Sequence, residues 1–252
     1  MHKIVLITGA TSGFGQAIAE KFASNQWNCI ITGRRADRLH AIADELREKY
    51  MIRVLSLVFD VQNKNEVQQN LGNLPDEWKE IDVLVNNAGL ALGRDTFEKG
   101  NIEDWDTMID TNVKGLLYVT KAVLPYMTAR NHGHIVNIGS IAGKEVYEKG
   151  NVYCATKFAV DSISRSLRID LLPYKIKVTA IHPGAAETEF SLVRFKGDEE
   201  KAKQAYKGYT PLFANDIADV TWYCASLPQH VCINELIVTC TAQASAVHFN
   251  RE

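Results

Sequence analysis

A four-residue apolar run, Ile4-Val5-Leu6-Ile7, passes directly into Thr8-Gly9-Ala10-Thr11-Ser12-Gly13-Phe14-Gly15, and few folds accommodate that succession. The run reads as a buried strand and the glycines as the turn into a helix from Phe14 to about Ser24. Gly9 permits the tight turn, Gly13 lets backbone approach a pyrophosphate, and Gly15 lets the helix lie close on the sheet. Phosphate would meet free N–H groups at the positive end of that helix. The glycines are spaced differently from Gly-x-Gly-x-x-Gly, and a glycine-rich turn alone is equally a loop. Its place between a first strand and a first helix is what carries the inference.

Strand and helix alternate through the rest of the chain. Cys29–Thr32 reads as a second strand and Asp37–Lys49 as its helix; Val54–Leu57, Val83–Val85, Ile135–Ile138 and Val178–Ile181 continue the series, with Ile237-Val238 as a candidate closing strand. Amphipathic stretches at Ile102–Met127, Tyr153–Leu171 and Asn215–Ala225 supply the later helices. Repetition of this kind implies a parallel sheet covered on both faces, joined by right-handed crossovers. The expected fold is an α/β, doubly wound Rossmann fold, with ligands at the carboxyl ends of the strands. No linker or repeat divides residues 1–252, and 46% hydrophobic content suffices for one large core.

A net charge of −2 with interspersed signs offers no footprint for nucleic acid. A first strand this near Met1 leaves no room for a signal peptide, and no apolar stretch reaches membrane-spanning length, so a cytoplasmic protein with no membrane partner is expected. Cys29, Cys154, Cys224, Cys232 and Cys240 contain no Cys-x-x-Cys pair and read as reduced, mostly buried thiols. The seven histidines lack zinc-ligand spacing, so no metal is expected.

Chemistry enters with Tyr153, the only one of nine tyrosines followed by lysine at i+4. Tyr153 and Lys157 share a helix face, which brings an ammonium beside a phenol. A free phenol, with a pKa near ~10, is a poor base, and a close positive charge favours the phenolate. A drop of roughly three units corresponds to about 4 kcal/mol, within reach of a desolvated ammonium aided by an oxidised nicotinamide. Taken alone, the pair is equally compatible with an accidental pairing on a surface helix.

Thr8-Gly9…Gly13…Gly15, Asn86-Asn87-Ala88-Gly89, Asn112, Ser140, Tyr153/Lys157 and Pro183-Gly184 together resemble, in order and spacing, the short-chain dehydrogenases/reductases over essentially the whole chain. Asp104-Trp105…Met108–Asn112, Glu187–Ser191 and Val193–Asp198 resemble the NADP-dependent 3-hydroxy acid (serine or L-allo-threonine) dehydrogenases more narrowly, as does Ile233–Ser245. The resemblance implies Tyr153 as proton carrier, Ser140 as hydrogen-bond partner of the reacting oxygen, Lys157 as a tyrosine activator and nicotinamide-ribose ligand, and Asn112 as holder of a relay water. It implies cofactor contacts from Gly9 to Gly15, including Thr11, Ser12 and Phe14, from Asp60-Val61 around adenine and from Asn87-Ala88-Gly89 at the ribose. Pro183, Gly184, Ala186 and Thr188 are implied at the nicotinamide end, with Ala186 where the family commonly has valine.

NADP is the expected cofactor. Gly33 stands where an NAD site presents a carboxylate, and Arg34-Arg35 follow with guanidinium forks suited to a phosphate dianion. The bland alternative is that these arginines merely solvate the next helix. Residues 190–209 resemble a loop with short helices that closes over substrate. Arg194 or Lys196 is expected to meet a substrate carboxylate, with Lys144 and Glu145 as competitors at the rim. Oxidation of L-serine at its 3-position would give an aldehyde prone to lose carbon dioxide. The rival readings are a broad carbonyl reductase and a non-catalytic NADP(H) sensor. The resemblance also implies a homo-oligomer, a tetramer favoured, built through the helices near 105–127 and 153–171.

Overall fold

Alternation along the strands sorts the apolar side chains to two faces. Val5, Ile7, Cys29, Ile31, Val83, Val85, Val136 and Ile138 pack into one buried cluster, and Ile4, Leu6, Ile30, Ile81, Leu84 and Ile135 into another on the opposite face. The computed structural model, which describes residues 2–252, resolves why both faces are apolar: helices cover each.

The seven strands are β1 (Ile4–Ile7), β2 (Asn28–Gly33), β3 (Val54–Val58), β4 (Ile81–Asn86), β5 (Gly133–Ile138), β6 (Ile176–Pro183) and β7 (Glu235–Val238). They form one sheet in the order β3-β2-β1-β4-β5-β6-β7, every pair parallel. Helices α1 (Gly13–Ser24), α2 (Ala36–Tyr50), α3 (Lys64–Leu71), α4 (Ile102–Ile109), α5 (Leu116–Arg130), α6 (Asn151–Asp170), α7 (Glu189–Arg194), α8 (Glu199–Gln204) and α9 (Ala214–Ser226) connect them. Apolar residues of α1, α2 and α9 join the first cluster; those of α3 and α5 join the second. This is the doubly wound Rossmann arrangement, and its strand order reverses between β1 and β4, where the ends of neighbouring strands leave a crevice.

Two elements depart from the sequence reading. Lys64–Leu71 is helical, capped by the Asn63 side chain on the N–H groups of Asn65 and Glu66, although its weak apolar pattern gave no helix. The stretch from Ile102 to Met127 is not one regular helix: a π-turn at Asp110–Gly115 separates α4 from α5. Such widened turns recur at functional positions, and this one contains Asn112. No helix among the described residues is long and apolar enough to cross a membrane.

The glycine turn fits its sequence reading in detail. Gly9 (φ +67°) and Gly13 (φ +53°) take left-handed backbone conformations. A Cβ on Gly15 would meet the Gly9 carbonyl and lie 2.5 Å from Asn87 Nδ2, whereas one on Gly13 would lie 3.4 Å from Thr188 Cβ. Gly15→Ala is therefore expected to lose about 1–3 kcal/mol through overpacking against backbone. Gly13→Ala should lose nearer ~1 kcal/mol, from its backbone conformation. Denaturant midpoints of the two variants check this order; equal losses would contradict it.

Candidate active site

Two cavities open at the carboxyl ends of the strands and meet at Tyr153. The first, of about 330 Å³, runs past the glycine turn, Arg34, Arg35, Asp60, Val61, Asn87, Ala88 and Gly89 to Tyr153, Lys157 and Thr188. The second, of about 490 Å³, is lined by Ser140, Tyr147, Tyr153, Pro183, Gly184, Ala186 and Arg194, with aromatic walls from Phe190, Tyr206, Tyr209 and Phe249. Phe14, Gly139, Thr188 and Phe190 belong to both walls. The sequence candidates from the six loops after β1 to β6 thus converge, with Tyr153 and Lys157 of α6, on one continuous crevice, while Asn112 lines neither cavity.

The first cavity suits a dinucleotide. The glycine turn leaves backbone space beside N–H groups at the start of α1, and a Cβ at position 33 would lie 2.6 Å from Thr11 Cγ2, so Gly33 leaves Thr11 its place at the rim. Arg35 Nη2 donates to Ser12 Oγ at 2.8 Å and Thr11 Oγ1 at 2.9 Å, gathering two hydroxyls and a guanidinium at one rim. Thr32 Oγ1 and Thr111 Oγ1, both of residues in the cavity wall, are buried without hydrogen-bond partners. Asn87 Nδ2 instead donates to the carbonyls of Thr8 (2.8 Å) and Gly9 (3.1 Å), so its side chain braces the turn. Asp60 Oδ1 accepts the Gln62 N–H, while Oδ2 faces Arg34 at 3.4 Å. Thr188 caps α7 by accepting the Phe190 N–H.

Around the chemistry stand Tyr153 and Lys157, on one face of one helix as the i+4 spacing implies. Both are buried on α6, but Lys157 Nζ lies 6.0 Å from the Tyr153 ring centroid and donates to the Ile138 carbonyl at 3.0 Å. Burial pushes the Tyr153 phenol well above its ordinary value, Tyr147 pushes the same way, and only the Ser140 hydroxyl and the Arg194 guanidinium oppose them. Burial also lowers the Lys157 ammonium to about 8. Desolvation thus disfavours the charged forms of both groups, and any charge that favours the phenolate works against it.

Asn112 lies at the centre of the π-turn, and its side chain is bonded to two neighbouring elements. Its Oδ1 accepts the Leu90 N–H at 2.8 Å, and its Nδ2 donates to the Leu90 carbonyl (2.8 Å) and Thr156 Oγ1 (3.0 Å). The side-chain amide locks the π-turn to the loop after β4 and to α6. Its neighbourhood is as expected, since the empty Cβ position of Gly89 lies 3.2 Å from Asn112 Oδ1 and 3.5 Å from Lys157 Nζ.

Lys196 and the two rim candidates, Lys144 and Glu145, are engaged with other parts of the chain. Lys196 pairs with Asp104 at 2.8 Å, tying the segment between α7 and α8 to α4. Glu145 Oε2 accepts the Ala246 N–H. Lys144 is drawn inward, 2.8 Å from Asp161 and 2.6 Å from Glu235. Neither Lys144 nor Glu145 lines the second cavity. Arg194 does, half-buried, with Nη1 donating to Tyr147 Oη at 2.9 Å and its guanidinium 5.5 Å from the Tyr153 ring centroid.

Two features had no sequence signal. Tyr147 orients Arg194 and walls the second cavity, but nothing in its local pattern separates it from any other loop tyrosine. His182, fully buried, sits behind Ser140 with Nδ1 3.2 Å from the Ser140 carbonyl, and its Nε2 faces Asp161 at 3.6 Å. Burial, then the nearby Lys144, lowers its pKa, so the ring is neutral at neutral pH. Asp161, His182 and Glu235 place potential ligand atoms within 4.8 Å of one another, but the Lys144 ammonium already supplies a cation to both acids.

Known proteins share this arrangement. The short chain dehydrogenase family model matches residues 3–198. The NADP-dependent 3-hydroxy acid dehydrogenase YdfG of Salmonella typhi is 51% identical over 244 residues, covering 96% of this chain and 97% of that protein. Sulfoacetaldehyde reductase 2 of Chromohalobacter salexigens is 46% identical over 245 residues, 97% of this chain and 96% of its own. The closed form of a serine dehydrogenase complexed with NADP+ superposes with a TM-score of 0.92 at 48% identity, over 99% of this chain and 100% of that one. Relatives that share about half their sequence with it over almost its whole length, and a family match that runs from β1 into the substrate loop, mean that the chain belongs to the short-chain dehydrogenase family.

Proposed function

We propose that this chain is an NADP-dependent oxidoreductase that oxidises the 3-hydroxyl of short 3-hydroxy acids such as L-serine or L-allo-threonine. The observation that carries the reading is the junction at Tyr153. On one side lies a dinucleotide-shaped cleft; on the other, a cavity whose wall holds Arg94, Arg194, Lys201 and Arg251 but no acidic residue. A carboxylate is attracted into such a cavity. The names of the relatives and of the structural neighbour support the same substrate class and cofactor.

NADP would be held by the glycine turn, Thr11, Ser12, Arg34 and Arg35 at its phosphates and by Lys157, Pro183, Gly184, Ala186 and Thr188 towards the nicotinamide. Bound there, it supplies the two-electron acceptor for the hydrogen on the carbinol carbon, and a positive charge that favours the Tyr153 phenolate. Tyr153 takes the hydroxyl proton as that hydrogen leaves, and returns it in reduction. Ser140 donates a hydrogen bond to the same oxygen and holds it against Tyr153. Arg194, braced by Tyr147, pairs with the carboxylate and sets which end of the substrate faces the phenol. Phe190 and the aromatic wall exclude water around the reacting carbon.

A carbonyl reductase acting mainly toward alcohols is the second reading, favoured by the sulfoacetaldehyde reductase relative; its name points to an anionic carbonyl substrate, which the acid-free cavity also suits. A non-catalytic sensor has no use for Ser140 and Tyr153 converging with Lys157. A homo-oligomer, a tetramer favoured, and a cytoplasmic location complete the reading; exposed Leu117 on α5 and Phe158 and Ile169 on α6 supply apolar surface for subunit contact.

The first test is reduced-nicotinamide absorbance with NADP or NAD across L-serine, L-allo-threonine and a plain secondary alcohol. Tyr153→Phe is expected to lower kcat by about 10²–10⁴ while leaving NADP affinity within roughly three-fold; substantial turnover by that variant would sink the proton-transfer scheme. Arg194→Ala should raise KM for the hydroxy acids by roughly 10–100-fold and leave the neutral alcohol unchanged. Equal losses on acid and alcohol would remove Arg194 as the carboxylate contact. The double variant Arg34→Ala/Arg35→Ala should raise KM for NADP and spare NAD; an equal rise with both would leave the arginines without a 2′-phosphate to read.

A further inference from the structure

The rim where β2 turns into α2 carries three arginines, and an acid from the far end of the chain already occupies two of them. Arg35 Nη1 donates to Glu189 Oε2 at 2.9 Å, and Arg38 Nη1 donates to Glu189 Oε1 at 2.7 Å. Each carboxylate oxygen thus has its own guanidinium. Arg35 spends its other donors on Thr11 Oγ1, the Thr11 carbonyl and Ser12 Oγ. Arg34 has only a long contact to Asp60, at 3.4 Å. Two guanidiniums converging on one point form a donor set for an oxyanion, and Glu189 is the anion seated in it. Glu189 opens α7, so the seated anion belongs to the substrate loop.

We propose that the Glu189 carboxylate is an intramolecular stand-in for the cofactor 2′-phosphate: it competes with that phosphate for Arg35 and Arg38, and so sets NADP-over-NAD selectivity from the substrate loop. The inference rests on the NADP reading above. Its physical basis is that a phosphate dianion and a carboxylate cannot both sit against the same two guanidiniums without repulsion. Arg35 and Arg38 lower the Glu189 pKa, Arg35 most, so the competitor is charged at neutral pH. The side chains of Glu189, Arg35 and Arg38 are 41%, 42% and 54% exposed, so these pairs are exchangeable rather than locked. A 2′-phosphate that draws Arg35 away frees the first turn of α7 from the β2–α2 turn. NAD, lacking the phosphate, leaves that tether in place. By linkage, whatever holds Glu189 on the arginines weakens 2′-phosphate binding by the same factor.

The test is calorimetric titration of Glu189→Gln and the parent protein with 2′,5′-ADP and 5′-AMP, and with NADPH and NADH, at low and at raised salt. Glu200→Gln, which removes an exposed acid from the same loop, controls for net charge. Loss of the competitor should tighten 2′,5′-ADP and NADPH by about two- to five-fold, leave 5′-AMP and NADH unchanged, and shrink as salt rises. The proposal is overturned if Glu189→Gln leaves NADPH affinity unchanged or weakens it, if NADH tightens equally, or if Glu200→Gln gives the same gain. A parent protein that binds 2′,5′-ADP no better than 5′-AMP would defeat the NADP reading itself. A parent that discriminates, with Glu189→Gln showing no gain, would defeat only the role of Glu189.

Discussion

The architecture of the site depends on the close approach of β1 and β4 at the point where strand order reverses. Thr8 Oγ1 accepts the N–H groups of Asn87 and Ala88, each at 3.0 Å, while the Asn87 amide donates back to the Thr8 and Gly9 carbonyls. Gly15 has no side chain where that amide and the Gly9 carbonyl lie. The two strand ends are stitched together by side-chain-to-backbone bonds, and α1 can then begin directly above them. The floor of the cofactor cleft is rigid for this reason, and the more exposed contacts, those of Arg34, Arg35 and Glu189, sit at its rim.

Charge is handled in two opposite ways on either side of Ser140. Behind it, Lys144, Asp161, Arg165 and Glu235 satisfy one another, with neutral His182 filling the space that Gly139 leaves open and reaching the Ser140 carbonyl. That cluster fixes the turn bearing the serine against α6. In front of it, Tyr153 and Lys157 are buried without a carboxylate partner, and desolvation acts against the charged form of each. A compensated cluster holds the backbone still, and an uncompensated pair is left responsive to charge brought by ligands. Arg194 brings a guanidinium to the wall of the second cavity beside Tyr153. Its position depends on Tyr147 and on the Gly93 carbonyl, so the loop after β4, the turn before α6 and α7 all take part.

Much of this was legible in the amino-acid order. Continuous apolar runs between amphipathic stretches pointed to a parallel sheet covered on both faces, because strands such as Ile4–Ile7 and Cys29–Thr32 have apolar side chains to bury on each side. The glycine turn was legible because its backbone requirements are local, and so was the absence of an acid at position 33. The π-turn around Asn112 was not, since a helix and a helix with one widened turn share nearly the same apolar pattern.

Tertiary structure alone decided where each charge went. Lys196, Lys144 and Arg194 are similar as sequence, yet one pairs with Asp104, one is drawn into a buried acid pair, and one faces the cavity. The i+4 spacing placed Tyr153 and Lys157 on one face, but how strongly a phenol feels an ammonium depends on burial and on where the ammonium points, here the Ile138 carbonyl. The meeting of Glu189 with Arg35 and Arg38 spans more than half the chain. Short-range pattern carries backbone conformation, whereas electrostatic partnership is set by distances that exist only once the sheet has brought remote loops to the same edge.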